Sequence, residues 1–215
     1  MRNDAYLNGQ NFNNFLLTPS EMEFTEKGFA IVEATNYNPK NIEYVPFNYA
    51  LQCNHMDKGI HFYIQDYLFD RVWNNPRRYT ELLKKYSVVI GPDFSLYWDT
   101  PEPIQMWSFY KKQWLERYWQ IHGVNVIPNI TWSDEDSFKW CFEGVPKDSV
   151  ISISANGCMK NPMSRAMFWK GYIKAQEVLK PRLILLHCAK GFEEDIEKET
   201  KYPAQLVRYN FRHVS

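Results

Sequence analysis

The run Val88-Val89-Ile90-Gly91-Pro92-Asp93-Phe94-Ser95 constrains this chain most. Three β-branched residues in a row read as a short strand buried on both faces, the kind a parallel sheet requires. The Gly-Pro pair then stops the strand, because proline has no N–H to continue a ladder. Past the stop the chain turns polar, with an Asp and a Ser. A buried strand that ends by presenting polar groups is how parallel α/β proteins build sites at the carboxyl ends of their strands.

The pattern recurs. Phe29–Ala34, His61–Gln65, Ser87–Ile90, Val124–Ile127, Ser149–Ile153, Leu183–Leu186 and Ala204–Phe211 read as strands. Helices are expected between them. One runs from Tyr67 to Tyr86 and is split at Asn74-Asn75-Pro76, since proline is best placed at a helix start. A second runs from Pro103 to His122, with Trp107, Tyr110, Trp114 and Ile121 on its apolar side and Lys111, Lys112, Glu116 and Arg117 on the wetter side. A short helix covers 134–143, a long one Pro162–Lys180, and a short charged one 192–200. Strand–helix alternation of this kind argues for an α/β fold with parallel strands. The expected architecture is a reduced or incomplete β/α barrel of about six to seven strands, with an open doubly wound sheet as the alternative. Residues 1–27 lack a period and read as an irregular arm. Residues 28–215 form one domain, with no linker or low-complexity tract.

Composition narrows the function classes. Lys plus Arg and Asp plus Glu are 25 each, so the whole-chain charge carries no nucleic-acid footprint. Basic pairs at Arg77-Arg78, Lys84-Lys85 and Lys111-Lys112 read first as solvated helix faces, and second as phosphate contacts. There are 8 Trp, 14 Tyr and 14 Phe, enough for a core and for an aromatic groove. Cys53, Cys141, Cys158 and Cys188 form no CxxC and stand at no zinc-finger spacing, so four reduced thiols are expected. No signal peptide and no membrane-length apolar run is apparent, which points to the cytoplasm, and to the host cytoplasm if the gene is viral. There is no P-loop and no GxGxxG.

If the strand ends converge, Glu33, Asp66, Asp93, Ser95, Asn129, Asn156, His187 and Lys190 surround one mouth. Asp93, with Asp66 and His187, is the expected acid/base set. Glu33, Ser95, Asn129, Trp132, Asn156 and Lys190 are the expected substrate contacts, with Lys190 facing an anion. Ser95 lacks the Gly-x-Ser-x-Gly setting of a nucleophile. A metal would need three of Glu33, Asp66, Asp93 and His187 in one sphere, and no local motif demands it. His61 reads as structural, at the far end of its strand. No cofactor is implied.

Longer stretches are distinctive. Arg71-Val72-Trp73-Asn74-Asn75-Pro76, Pro92-Asp93-Phe94-Ser95-Leu96-Tyr97, Arg117-Tyr118-Trp119, Ile127-Pro128-Asn129 with Trp132, and Cys141 to Lys147 together resemble the family DUF4417 over about residues 25–190. The resemblance implies a phage, prophage or mobile-element setting and supplies no catalytic residue. Two functions therefore stand open. One is a barrel-like enzyme acting on a nucleotide, nucleic-acid or sugar-type substrate. The other is a non-catalytic accessory protein that binds a host protein or nucleic acid in phage replication or counter-defence.

Overall fold

The computed structural model describes residues 14, 17–39, 42–53, 55–159, 161–188 and 192–207. Eight short strands occur among them: β1 (Tyr44–Pro46), β2 (Gly59–His61), β3 (Val88–Ile90), β4 (Val126–Ile127), β5 (Asn129–Ile130), β6 (Val150–Ser154), β7 (Leu183–His187) and β8 (Ala204–Val207). Five α-helices accompany them: α1 (Arg71–Asn74), α2 (Pro76–Leu83), α3 (Glu102–Ile121), α4 (Pro162–Leu179) and α5 (Glu193–Glu199). The α/β class with parallel strands is thus present.

The strands form two four-stranded sheets, β1-β2-β3-β4 and β5-β6-β7-β8, and every pairing is parallel. Each sheet keeps to chain order, and neither makes the reversal that a doubly wound sheet requires. Only Pro128 separates β4 from β5, so the sheets share one chain segment.

Two of the expected elements differ. Phe29–Ala34 is no strand; its one β contact is an antiparallel bridge between Phe24 and Ala30. The first strand is Tyr44–Pro46, which ends on a proline, a residue that normally breaks a ladder. The first strand of a sheet tolerates that proline because one of its sides has no partner. The second expected strand is displaced too. It comprises Gly59–His61, so His61 ends the strand instead of starting it. The other boundaries lie within a few residues of expectation, save that 134–143 holds only a 3-10 turn at Ser137–Lys139 and that the expected end of the last strand, Phe211, lies outside the described residues.

Local chemistry accounts for the helix ends. The Asn75 side chain accepts from the Arg78 N–H, and Pro76 opens α2. The Asn161 side chain accepts from Met163 and Ser164 N–H groups, and Pro162 opens α4. Gly123 comes after α3 at φ +85°, a conformation open to glycine at little cost.

Three apolar clusters hold the elements together. One packs β1–β3 against α2 and α3 around Phe62, Trp114 and Trp119, with Phe62 and Trp119 rings stacked at 5.5 Å. A second packs α4 against β6 and β7 around Phe168, Tyr172 and Ile184. A third draws on six strands, with Val88 and Ile90 from β3 and Tyr44, Ile127, Val150, Leu185 and Val207 from β1, β4, β6, β7 and β8. Helix α3 serves two clusters, with Phe109 in the second and Trp114, Leu115 and Trp119 in the first. It is therefore buried on more than one side, with consequences for its charged residues.

Candidate functional site

The site begins where the first sheet gives way to the second. The Gly91 N–H donates to Ile127 O at 2.9 Å, and then Pro92 has no N–H to carry the β3–β4 ladder further. On the neighbouring segment Pro128 interrupts in turn, and Asn129 turns to pair with Ser152 of β6. The backbone of Asn129 has lost its neighbour on the β3 side. Buried N–H and C=O groups need partners, and here helix α3 supplies them. Glu116 Oε1 accepts from the Asn129 N–H at 2.8 Å, and Lys112 Nζ donates to Asn129 O.

Both charged side chains are almost fully buried, Lys112 at 1% exposure and Glu116 at 0%. This corrects the expectation that they lie on the wetter side of the helix. Lys112 Nζ stands 3.9 Å from Glu116 Oε2, and that oxygen makes no hydrogen bond. Burial pushes the Glu116 carboxyl up to about 7, against the pull of Lys112. Burial also draws the Lys112 ammonium below its ordinary value. Gly91 makes room for the pair, since a Cβ there would lie 1.8 Å from Glu116 Oε1.

The Asn129 side chain carries this arrangement to Asp93. Its Nδ2 donates to Asp93 Oδ1 at 2.9 Å and to Pro92 O at 3.2 Å, while its Oδ1 accepts from the Tyr63 hydroxyl at 3.1 Å. Burial raises the Asp93 carboxyl to about 6, opposed by the Asn129 amide, raised further by Asp66 and lowered by Lys112. A carboxyl poised near neutrality can both take and give a proton.

Asp93 opens on a cavity of about 420 Å³. Phe94, Trp98, Trp132 and Phe168 supply its aromatic walls, and Ser95, Ser133, Ser154, Asn156 and Ser164 add polar groups. Trp132 reaches its place because Gly171 of α4 has no side chain; a Cβ there would lie 2.1 Å from the indole Nε1. Tyr97 and Trp98 stand at the mouth, each 62% exposed. The volume and the mix of rings and hydroxyls match those of small-molecule sites.

The structure brings some of the expected residues together and sets others apart. Asp93, Ser95, Trp132 and Asn156 line the one cavity. Asn129 stands directly behind Asp93, with its amide and peptide groups engaged inside the protein. Asp66 accepts from the Ser95 N–H at 3.1 Å and the Ser95 hydroxyl at 2.8 Å, so it anchors the loop that carries Asp93. Glu33 is elsewhere, paired with Arg117 at 2.8 Å, and its backbone meets the Gln120 side chain near the end of α3. Lys190 lies outside the described residues. Among the described residues no three His, Cys, Asp or Glu side chains are grouped to hold a metal ion.

His187 is buried at the end of β7. Its Nδ1 meets Ser154 Oγ at 3.1 Å, and its ring stacks on Tyr63 with centroids 5.0 Å apart. Burial lowers the imidazole to about 3, so it is neutral at physiological pH. His61 stacks on the same group, 5.8 Å from Tyr63 and 6.4 Å from His187. Its place beside the expected site residues corrects the far-end reading. Tyr63, Lys112 and Glu116 carried no local signal in the sequence. The four cysteines are free, with Cys158 at the cavity wall.

Residues 26–209 match the family model described as "Domain of unknown function (DUF4417)". The chain belongs to the DUF4417 family. It is similar to the "Gene 1 protein" of Mycobacterium phage L5, 32% identical over 155 residues, which covers 70% of this chain and 66% of that protein. It is also similar to the "Gene 1 protein" of Mycobacterium phage D29, 33% identical over 152 residues, covering 70% of this chain and 56% of that protein. The chain thus aligns with less than two thirds of either relative. No solved structure matches it significantly. The DUF4417 match encloses Asp93, Asn129, Lys112 and Glu116, together with every described residue of the cavity wall. Among the described residues no helix is long and apolar enough to cross a membrane.

Proposed function

We propose that this DUF4417 protein is a phage enzyme that binds a small ring compound of nucleoside, nucleotide or sugar type and moves a proton with Asp93. One observation carries the reading: a carboxyl raised to about 6 by burial faces an aromatic-walled cavity of about 420 Å³. Stacking on Trp98 and Trp132 would hold a flat ring, and Ser95 and Asn156 would meet its polar edge. Asp93 is the acid/base, and Asp66 keeps its loop in place. His187, neutral and hydrogen-bonded to Ser154, supports the cavity wall.

The same proposal treats the two sheets as one curved wall, a reduced barrel split at Pro128. Its support is the unbroken chain order of parallel strands and the shared cluster of inward side chains. The carboxyl ends of β3, β5 and β6 then lead into one mouth, where barrels carry their sites.

Calorimetric titration of the purified chain with a panel of nucleosides, nucleotides and monosaccharides tests the function. Binding by one class, lost in Trp98→Ala and made insensitive to pH in Asp93→Asn, supports it. No binding by any member of the panel counts against it. The exposed rings of Tyr97 and Trp98, with Met163 61% exposed nearby, favour a second reading, a grip on a host protein or nucleic acid. Under that reading Trp98→Ala abolishes capture of the partner, while Asp93→Asn leaves it unchanged.

A further inference from the structure

We propose that Lys112 and Glu116 are positioning residues for Asp93: from inside α3 they hold the peptide of Asn129, and its side-chain amide thereby stays aimed at the Asp93 carboxylate. The functional meaning of this inference rests on the reading of Asp93 as the acid/base. The geometry stands without it.

Two facts show that the pair is placed for Asn129 and not for its own attraction. First, their contact is loose at 3.9 Å, whereas each makes a hydrogen bond to a separate group of the Asn129 peptide. An ion pair buried for stability alone needs close geometry to offset desolvation. Second, they meet the backbone where the strand ladder fails, between Pro92 and Pro128. A pair of apolar side chains would fill that volume and leave an N–H and a C=O unpaired.

The consequence falls on Asp93. Asn129 presents its amide to Asp93 at 2.9 Å from a backbone bonded on that side by Lys112 and Glu116 and on the other by its pairing with β6. The other charged and titratable groups acting on Asp93 or affected by it are Asp66 behind the loop, Lys112 itself, the Tyr63 phenol and the Cys158 thiol. Among the groups facing Asp93, the Asn129 amide is the neutral hydrogen-bond donor to the carboxylate. Losing its aim raises the Asp93 titration midpoint, because a hydrogen bond to the ionised form favours that form.

The test is the titration of Asp93 in the full chain, monitored by carbon-13 carboxyl NMR, in two variants of one residue. Glu116→Gln keeps an oxygen for the Asn129 N–H; Glu116→Leu does not. Simple charge removal would lower the Asp93 midpoint, or leave it, in both. Positioning predicts that Glu116→Gln stays at or below the wild-type midpoint, while Glu116→Leu rises above it by about one pH unit. Should Glu116→Leu fail to fold with Lys112 stranded, the comparison is repeated with Lys112→Met in both variants: the two doubles lack the same charges, and Lys112→Met/Glu116→Leu is expected to lie above Lys112→Met/Glu116→Gln by the same margin. Equal midpoints in the Gln and Leu variants, with Lys112 present or replaced by Met in both, overturn the inference. No substrate enters this measurement. A rise as expected sustains the positioning role even if Asp93 proves to have no catalytic part.

Discussion

Gly91→Ala isolates the contact on which the site depends. An added Cβ would lie 1.8 Å from Glu116 Oε1, 2.6 Å from Cδ and 2.8 Å from Cγ. Carbon and oxygen atoms need roughly 3.5 Å, so the carboxyl must retreat by more than about 1.5 Å. That breaks its 2.8 Å hydrogen bond from Asn129. An unpaired buried N–H costs about 1–3 kcal/mol, and forcing a methyl into filled space costs a further ~1–3 kcal/mol. Gly91 is not among the glycines with positive φ, so backbone strain adds nothing. Loss of glycine's freedom in the unfolded chain returns about 0.4–1 kcal/mol. The net expectation is a destabilisation of roughly 2–4 kcal/mol, read by urea unfolding with an unchanged denaturant slope. The decisive arm repeats the substitution in a Glu116→Ala background. All three clashing atoms are then gone, and Gly91→Ala should cost less than about 0.5 kcal/mol. Equal costs in the two backgrounds, or a cost below about 1 kcal/mol in the wild type, would refute the reasoning.

Gly171→Ala drives a methyl to 2.1 Å from Trp132 Nε1, so the indole must leave the cavity wall and its bond to Met167 O. A mid-helix Gly→Ala change normally stabilises by about 0.5–1 kcal/mol, so a loss of stability with altered tryptophan fluorescence is the expected signature. Asp93 and Glu116 hold protons in the fold up to about 6 and about 7, against ordinary values of 3.8 and 4.5. The folded state binds the extra protons in that window, so their contribution to stability falls as pH rises from about 4 to about 7, and Asp93→Asn should flatten that decline in unfolding curves taken across it. His187 has the opposite sign. Its imidazole is lowered from 6.5 to about 3, so its contribution is full above 6.5 and lost as pH falls toward 3, and His187→Gln should soften the acid limb. Tyr63→Phe keeps the stack on His187 and removes the hydroxyl from Asn129 and Ser152, for an expected cost of about 1 kcal/mol by denaturation.

Much of the fold was legible because its signals are local. Val88–Ile90, the Asn-Pro start of α2 and the proline start of α4 each act within a few residues, and each is found where expected. The first strand was not legible for the opposite reason. Phe29–Ala34 has the look of a strand, whereas Tyr44–Pro46 carries a proline. The pairing of Tyr44 with Gly59 decides between them, and it is non-local. Gly59 gives the Tyr44 ring its room, since a Cβ there would lie 2.6 Å from two ring carbons. The division into two sheets is equally invisible, since it depends on Pro92 meeting Asn129, the residue after Pro128, in space.

The site divides along the same line. Asp93 and Ser95 announce themselves by coming after a buried strand and a Gly-Pro stop. Lys112 and Glu116 do the reverse. On a helix otherwise read by its apolar stripe, a charged pair four residues apart belongs on the wet side, because burying it is costly. That rule assumes the pair has nothing to satisfy inside. Here the strand ladder fails next to Asn129 and leaves a peptide without partners, and a Lys and a Glu are the side chains that can donate to its carbonyl and accept from its N–H. The cost of burying them is set against two otherwise unpaired backbone groups. The break between the sheets, the buried charges and the Asp93 hydrogen bond therefore go together. Opening the strands beyond Gly91 leaves the Asn129 peptide without a neighbouring strand beside the cavity and obliges α3 to supply polar groups, and those groups bond the peptide whose side-chain amide meets Asp93.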